Sequence, residues 1–171
     1  MADKKTATSE TKETVMTIVS PSKTLDVRSL PHTREVVAYR DGGEFPVLTS
    51  TPSGALIAVL RGAAGHLGRK GRIDIVRSLD GGMSWTYPNI VADSVDDDRN
   101  PGIGTSTKGT VILAYSRASS YDDDGVYFAC GRDDAEKYWS MRVTRSFDNG
   151  LTWEEPFGPV YAAVSSCSPY G

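Results

Sequence analysis

The densest concentration of reactive side chains is the run Asp96-Asp97-Asp98-Arg99-Asn100-Pro101. A guanidinium carries a rigid planar fork of donors suited to clamping an anionic or hydroxylated group, and a carboxylate beside it can hold that fork or accept a proton. Arg99 is therefore expected to touch a ligand directly, with Asp98 as its partner or as a general base. The alternative is a solvated acidic turn with a local ion pair. His66 stands in the loop Gly62-Ala63-Ala64-Gly65-His66-Leu67-Gly68-Arg69-Lys70, which contains no carboxylate. It is the one side chain there able to exchange protons near neutral pH, or else an exposed loop histidine. Asp122-Asp123-Asp124 and Asp133-Asp134 read as solvated loop acids, with a weak cation site as the alternative. His32 and His66 are too few and too far apart for zinc, and Cys130 and Cys167 read as small buried hydrophobes. No metal and no cofactor are expected.

These residues must be positioned by a repeat. Ser78-Leu79-Asp80-Gly81-Gly82-Met83-Ser84-Trp85 and Ser146-Phe147-Asp148-Asn149-Gly150-Leu151-Thr152-Trp153 share one pattern, with the two aspartates 68 positions apart. The octapeptide reads as a tight turn. Its aspartate can accept hydrogen bonds from backbone N–H groups just ahead, its glycine (Gly82, Gly150) supplies positive φ, and its tryptophan (Trp85, Trp153) is expected to start the returning strand and bury its ring against the sheet. Upstream text repeats as well: Pro46 and Gly54 are eight positions apart, as are Pro101 and Gly109. Ala55–Leu60 and Thr110–Tyr115 are apolar runs bounded by turn residues, and Ile73–Arg77 and Met141–Arg145 alternate apolar and polar. Each unit thus predicts four antiparallel strands, the content of one propeller blade. No helical periodicity of ten residues or more is present, so the class is all-β.

The octapeptide resembles the Asp-box, or BNR repeat, of the sialidase (neuraminidase) superfamily. Over residues 40–171 the resemblance implies a six-bladed β-propeller, of which this chain holds about two blades, near 36–92 and 93–160, and the start of a third at 161–171. In that family the boxes lie on the outer rim, which implies a structural role for Asp80, Gly82, Trp85, Asp148, Gly150 and Trp153. The family's active site lies in the axial funnel. Three arginines there bind a substrate carboxylate, a Tyr–Glu pair supplies the nucleophile, and an aspartate is the acid/base. The first arginine stands in an Arg-Ile-Pro motif. The matching tripeptide here is Glu44-Phe45-Pro46, so Glu44 stands at a substrate-binding position where it would repel a carboxylate. Ala58-Val59-Leu60-Arg61 matches the stretch that carries a second arginine, which implies substrate binding by Arg61. The loop that should follow with the acid/base aspartate offers only His66, and the Tyr–Glu pair belongs to later blades. The resemblance implies an exo-α-sialidase-like glycoside hydrolase acting on terminal sugars of glycans, with a substrate other than sialic acid left open by Glu44. The alternative is a non-catalytic Asp-box propeller that binds a carbohydrate or a protein.

Net charge is −3 and the sequence pI about 5.4, which leaves no basic footprint for nucleic acid. The cluster Arg69-Lys70-Gly71-Arg72 reads as an exposed loop. Residues 1–14 are polar and predict a disordered tail. No apolar segment of signal-peptide or membrane-spanning length is evident, so the default expectation is a cytoplasmic protein that binds a glycan or small sugar, or a secreted one if a leader was removed. The end of the chain within a repeat predicts a portion of a longer protein. If the chain is complete, self-association must close the ring.

Overall fold

A computed structural model describes residues 26–40, 42–128 and 138–160. Two compact units are present, residues 1–35 and 36–171. In the first, a 3-10 turn spans Val27–Ser29, and Asp26 accepts hydrogen bonds from the backbone N–H and guanidinium of Arg28. His32 lies there at φ 67°.

The second unit consists of two four-stranded antiparallel sheets. The first is ordered β1 (Glu44–Ser50), β2 (Leu56–Gly62), β3 (Arg72–Ser78) and β4 (Asn89–Ala92). The other is ordered β5 (Asp97–Thr105), β6 (Val111–Ala118), β7 (Trp139–Ser146) and β8 (Phe157–Val160). The expected four-strand unit is thus present twice, and the class is all-β. Within the described residues the two sheets do not close into a ring. The expected tail 1–14, the third unit 161–171, Cys130, Cys167 and Asp133-Asp134 lie outside the described residues.

Strand alternation explains how the sheets meet. Ile57 and Val59 of β2 and Ile73 and Ile75 of β3 occupy one face, and Val111, Leu113 and Tyr115 of β6 face them; all are at most 1% exposed and form one cluster with Ala92. Thr49 of β1 and Thr105 of β5 share a hydroxyl–hydroxyl hydrogen bond of 3.0 Å, so the first strands of the two sheets run side by side.

Those first strands carry the same irregularity. The register slips by one residue between Glu44 and Val47 of β1, and between Arg99 and Gly102 of β5. In each bulge the residue before proline has positive φ, 52° at Phe45 and 50° at Asn100. Pro46 and Pro101 have no N–H to give the ladder, so pairing breaks there and the strand re-aims its leading residues.

The octapeptide turns share the bonds of their serine, aspartate, glycine and seventh-position hydroxyl residue, and differ at the tryptophan, whose indole N–H donates to the Gly82 carbonyl at 3.2 Å in the first turn and has no partner among the described residues in the second. Asp80 accepts from the Ser84 N–H (2.9 Å) and hydroxyl (2.5 Å), and Asp148 from the Thr152 N–H (2.9 Å) and hydroxyl (2.6 Å). The buried Ser78 and Ser146 hydroxyls each donate to the box aspartate and accept from the glycine N–H at 2.8 Å. Gly82 and Gly150 have φ 90° and 77°. The serine at position one and the hydroxyl residue at position seven are therefore as much part of the turn as the aspartate. Burial opposes ionisation of Asp148, but the Thr152 hydroxyl and N–H, the Ser146 hydroxyl and the Leu151 N–H outweigh it and hold the carboxyl at about 2. Asp80 is likewise held below the usual carboxylate range, first by the Ser84 hydroxyl. The expectation that the tryptophans open the returning strands is corrected: Trp85 and Trp153 precede β4 and β8 by four residues. After the tight turn a single backbone bond, Thr86 N–H to Arg77 C=O or Glu154 N–H to Arg145 C=O, guides the chain back before the ladder resumes. Trp153 is half-buried against the central cluster.

Candidate functional site

Five residues singled out from the sequence are Glu44, Arg61, His66, Asp98 and Arg99. Four of them are linked by contacts where β1 and β5 begin and β2 ends. Glu44 lies opposite Arg61 in the β1–β2 register. The loop from β2 to β3 carries His66, and its exit is tied to β5 by the Asp98 N–H bonding to the Gly71 carbonyl at 2.9 Å.

The hub is Asp97, a residue that sequence reasoning passed over. Its side chain is fully buried. One carboxylate oxygen accepts from Arg61 Nε at 3.1 Å and Nη2 at 2.6 Å; the other accepts from the Tyr121 hydroxyl at 2.6 Å and Arg99 Nη1 at 3.2 Å. The same donors hold the loop between β2 and β3. Arg61 also donates to the carbonyls of Ala64 (3.2 Å) and Gly68 (2.8 Å), Arg99 Nη2 to the carbonyl of His66 (3.0 Å), and the Tyr121 hydroxyl accepts from the Gly68 N–H (3.0 Å). Burial, and then the bond to Asp97, push the Tyr121 hydroxyl pKa up, so it stays a proton donor. Gly71 packs against the Arg61–Asp97 pair so closely that a Cβ there would overlap the Asp97 carboxylate.

This arrangement places the two arginines differently from the sequence expectation of open ligand clamps. Arg61 is fully buried and Arg99 is 4% exposed, each with its guanidinium engaged by Asp97 and loop carbonyls. The Arg99 guanidinium carbon also lies 5.5 Å over the Trp139 ring, a cation–π distance.

Asp98 does not pair with Arg99. Successive strand residues point to opposite faces, so Asp97 and Arg99 share one face of β5 and Asp98 takes the other. There it accepts from the Ser94 N–H at 2.7 Å and from Arg117 Nε at 3.1 Å. Burial raises its carboxyl pKa, against the lowering effect of Ser94 and Arg117. Asp74 is buried too, bonded to Arg72 at 2.8 Å and to the Tyr39 hydroxyl at 2.6 Å.

The exposed groups at this end are His66 and Glu44, with side chains 64% and 39% exposed. His66 Nδ1 lies 3.9 Å from Glu44 Oε2, and its ring centroid lies 5.2 Å from that of Phe45 at a tilt of 58°. The positive φ of Phe45 in the β1 bulge helps bring that ring to His66. The carboxylate–imidazole pair can accept hydrogen bonds and exchange a proton. Asp122–Asp124 lie exposed on a turn closed by the Gly125 N–H bonding to the Asp122 carbonyl at 2.9 Å. Among the described residues no group of three or more His, Cys, Asp and Glu could hold a metal ion, and no helix is long and apolar enough to cross a membrane.

No family model and no curated protein sequence matches the chain. Solved structures do. The Hadza microbial sialidase Hz136 superposes with a TM-score of 0.56 at 21% identity, over 68% of this chain and 25% of that one. A protein of unknown function from Dyadobacter fermentans DSM 18053 gives 0.57 at 21% identity, over 75% and 40%. A mutant of Trypanosoma rangeli sialidase displaying trans-sialidase activity gives 0.50 at 14% identity, over 68% and 20%. The chain thus spans a fifth to two fifths of the length of these structures. At such identities the likeness speaks to the fold alone, and that fold is sialidase-like.

Proposed function

We propose that this chain is part of a six-bladed sialidase-type propeller that acts as a glycoside hydrolase on terminal sugars of glycans, with the end where β1 and β5 begin contributing to the sugar site. The observation that carries this reading is the bulge repeated at Glu44-Phe45-Pro46 and Arg99-Asn100-Pro101, which sets the leading residues of both first strands beside the loop of His66. In this reading Glu44 and His66 face the sugar, and His66, beside a carboxylate, exchanges the proton. Asp98, Arg61 and Arg99 stand behind them. The test is release of free sugar from a panel of terminal glycosides by the protein. Activity that falls at least about a hundredfold in His66→Ala, the usual scale for loss of a general acid or base, supports the reading; full activity in that variant removes His66 from the chemistry.

A second reading, a non-catalytic propeller that binds a carbohydrate or protein, is favoured by one feature. The loop Gly62–Lys70 contains no carboxylate, and the aspartates packed beside it, Asp74 and Asp97, are both buried in ion pairs. Sugar binding without turnover of any glycoside would select it.

A further inference from the structure

Within the cluster of Arg61, Arg99, Asp97 and Glu44 the charges are balanced without a ligand. Arg61 and Arg99 bring two positive charges, and Asp97 and Glu44 bring two negative ones. The two guanidinium groups of this cluster are buried and bonded, Arg61 to Asp97, Ala64 and Gly68, Arg99 to Asp97 and His66, with Trp139 against the guanidinium of Arg99, while Arg69 and Lys70 stand exposed further along the His66 loop. The groups of this cluster that stay open are the Glu44 carboxylate and the His66 imidazole, with the half-buried Phe45 ring against the imidazole. A ligand carboxylate placed against the Glu44–His66 pair would lie beside the Glu44 carboxylate, with the guanidinium groups of Arg61 and Arg99 buried behind it, and like charges side by side repel. A sugar hydroxyl has the opposite fit. It donates to Glu44, accepts from or donates to His66, and the apolar face of the ring can lie on Phe45.

We infer that this end of the sheets receives an uncharged, hydroxyl-bearing sugar ring through Glu44 and His66, and that Arg61, Arg99 and Tyr121 are positioning residues that lock the His66 loop through Asp97. The inference rests on the reading of this end as a sugar site and adds the class of sugar. The loop supports it: bonds from three buried or nearly buried side chains converge on the backbone between Ala64 and Gly68, and none of those side chains belongs to the loop itself. Such convergence fixes a short exposed segment in one geometry, as a preorganised binding loop requires.

Binding is measured by calorimetry on the full chain with two kinds of probe, methyl glycosides of neutral hexoses and N-acetylneuraminic acid. The expected result is that a neutral glycoside binds and the acid binds at least about tenfold more weakly. Glu44→Gln should weaken the neutral probe by about tenfold, the loss of one hydrogen bond to a charged group. Glu44→Arg should reverse the preference. Both changes are at a half-exposed position and leave the core untouched. Tyr121→Phe should weaken the neutral probe several-fold while keeping the neutral-over-acid ratio, because it loosens the loop without touching Glu44. Tighter binding of N-acetylneuraminic acid by the unmodified protein overturns the inference and leaves the glycan reading standing. Unchanged affinity in Tyr121→Phe overturns the positioning role. Failure of every sugar to bind overturns this inference and the glycan reading together.

Discussion

Replacing Asp97 by asparagine isolates the central electrostatic element. The carboxylate is fully buried and accepts four hydrogen bonds, two from Arg61 and one each from Arg99 and Tyr121. Asparagine keeps one acceptor oxygen but turns the other into an NH2 group that faces donors. The Arg61 guanidinium then keeps its charge, with no exposure to solvent and no counter-charge. Breaking a buried pair by removing one partner destabilises by about 3–5 kcal/mol, a large share of a typical total of about 5–15 kcal/mol. For a chain of this size each kcal/mol moves the midpoint by roughly 2–4 °C, so Tm should fall by about 6–20 °C. Urea unfolding followed by circular dichroism gives the free energy directly, with an unchanged m-value as the sign that the same unfolding is being compared. Arg61→Met should cost about as much. Because the two side chains touch, the double variant should be less destabilised than the sum of the singles, with a coupling of about 1–3 kcal/mol. A loss under about 1 kcal/mol for Asp97→Asn, the scale of a solvent-exposed pair, or strict additivity in the double variant, refutes the assignment of Asp97 as the hub.

Gly71→Ala places a methyl group against the Arg61–Asp97 pair, 2.5 Å from Arg61 Nε and 2.6 Å from Nη2, and should destabilise by about 3 kcal/mol through overpacking; Gly65→Ala in the same loop meets nothing within 4 Å and should be close to neutral, a contrast that thermal unfolding of the two variants reads directly. Ser146→Ala removes the acceptor of the buried Gly150 N–H and should cost about 1–3 kcal/mol, with Ser78→Ala matching it in the first turn; unaltered urea midpoints would remove both serines from the turn's framework. Acid unfolding should show Asp148. Its carboxyl is held at about 2 in the fold against an ordinary 3.8, so above 3.8 both folded and unfolded chains are ionised there and its contribution is complete. As pH falls the unfolded chain takes the proton first, and the contribution is lost as pH passes through the folded value. Stability measured from pH 5 to pH 2 should therefore fall less steeply in Asp148→Asn than in the unmodified chain, and an identical slope would show that the carboxyl is not depressed.

The turn, the repeat and the strand content were legible because their physics is local. The bonds that define Ser78–Trp85 and Ser146–Trp153 run between residues two to four apart, so a contiguous pattern encodes them, and two copies at a fixed spacing announce two sheets. The apolar alternation of Ile57 with Val59 and of Ile73 with Ile75 likewise marks the buried face before any partner is known. The site was only half legible. The sequence alone offers three adjacent acids, Asp96, Asp97 and Asp98, beside Arg99, and adjacency suggests the Asp98–Arg99 pair. In a strand the residue two positions away shares the face, which points to Asp97. Which of those faces meets Arg61, 36 residues earlier, depends on how the first sheet packs against β5. The roles of Tyr121, Trp139 and Gly71 arise the same way, from segments brought together by packing. The repeating unit and its turns are thus written in the chain, through short-range hydrogen bonds and period-two alternation. The burial of Arg61 and Arg99 around Asp97, with Glu44 and His66 left open, comes from packing, because burial and pairing of charges are properties of two sheets in contact and not of either one alone.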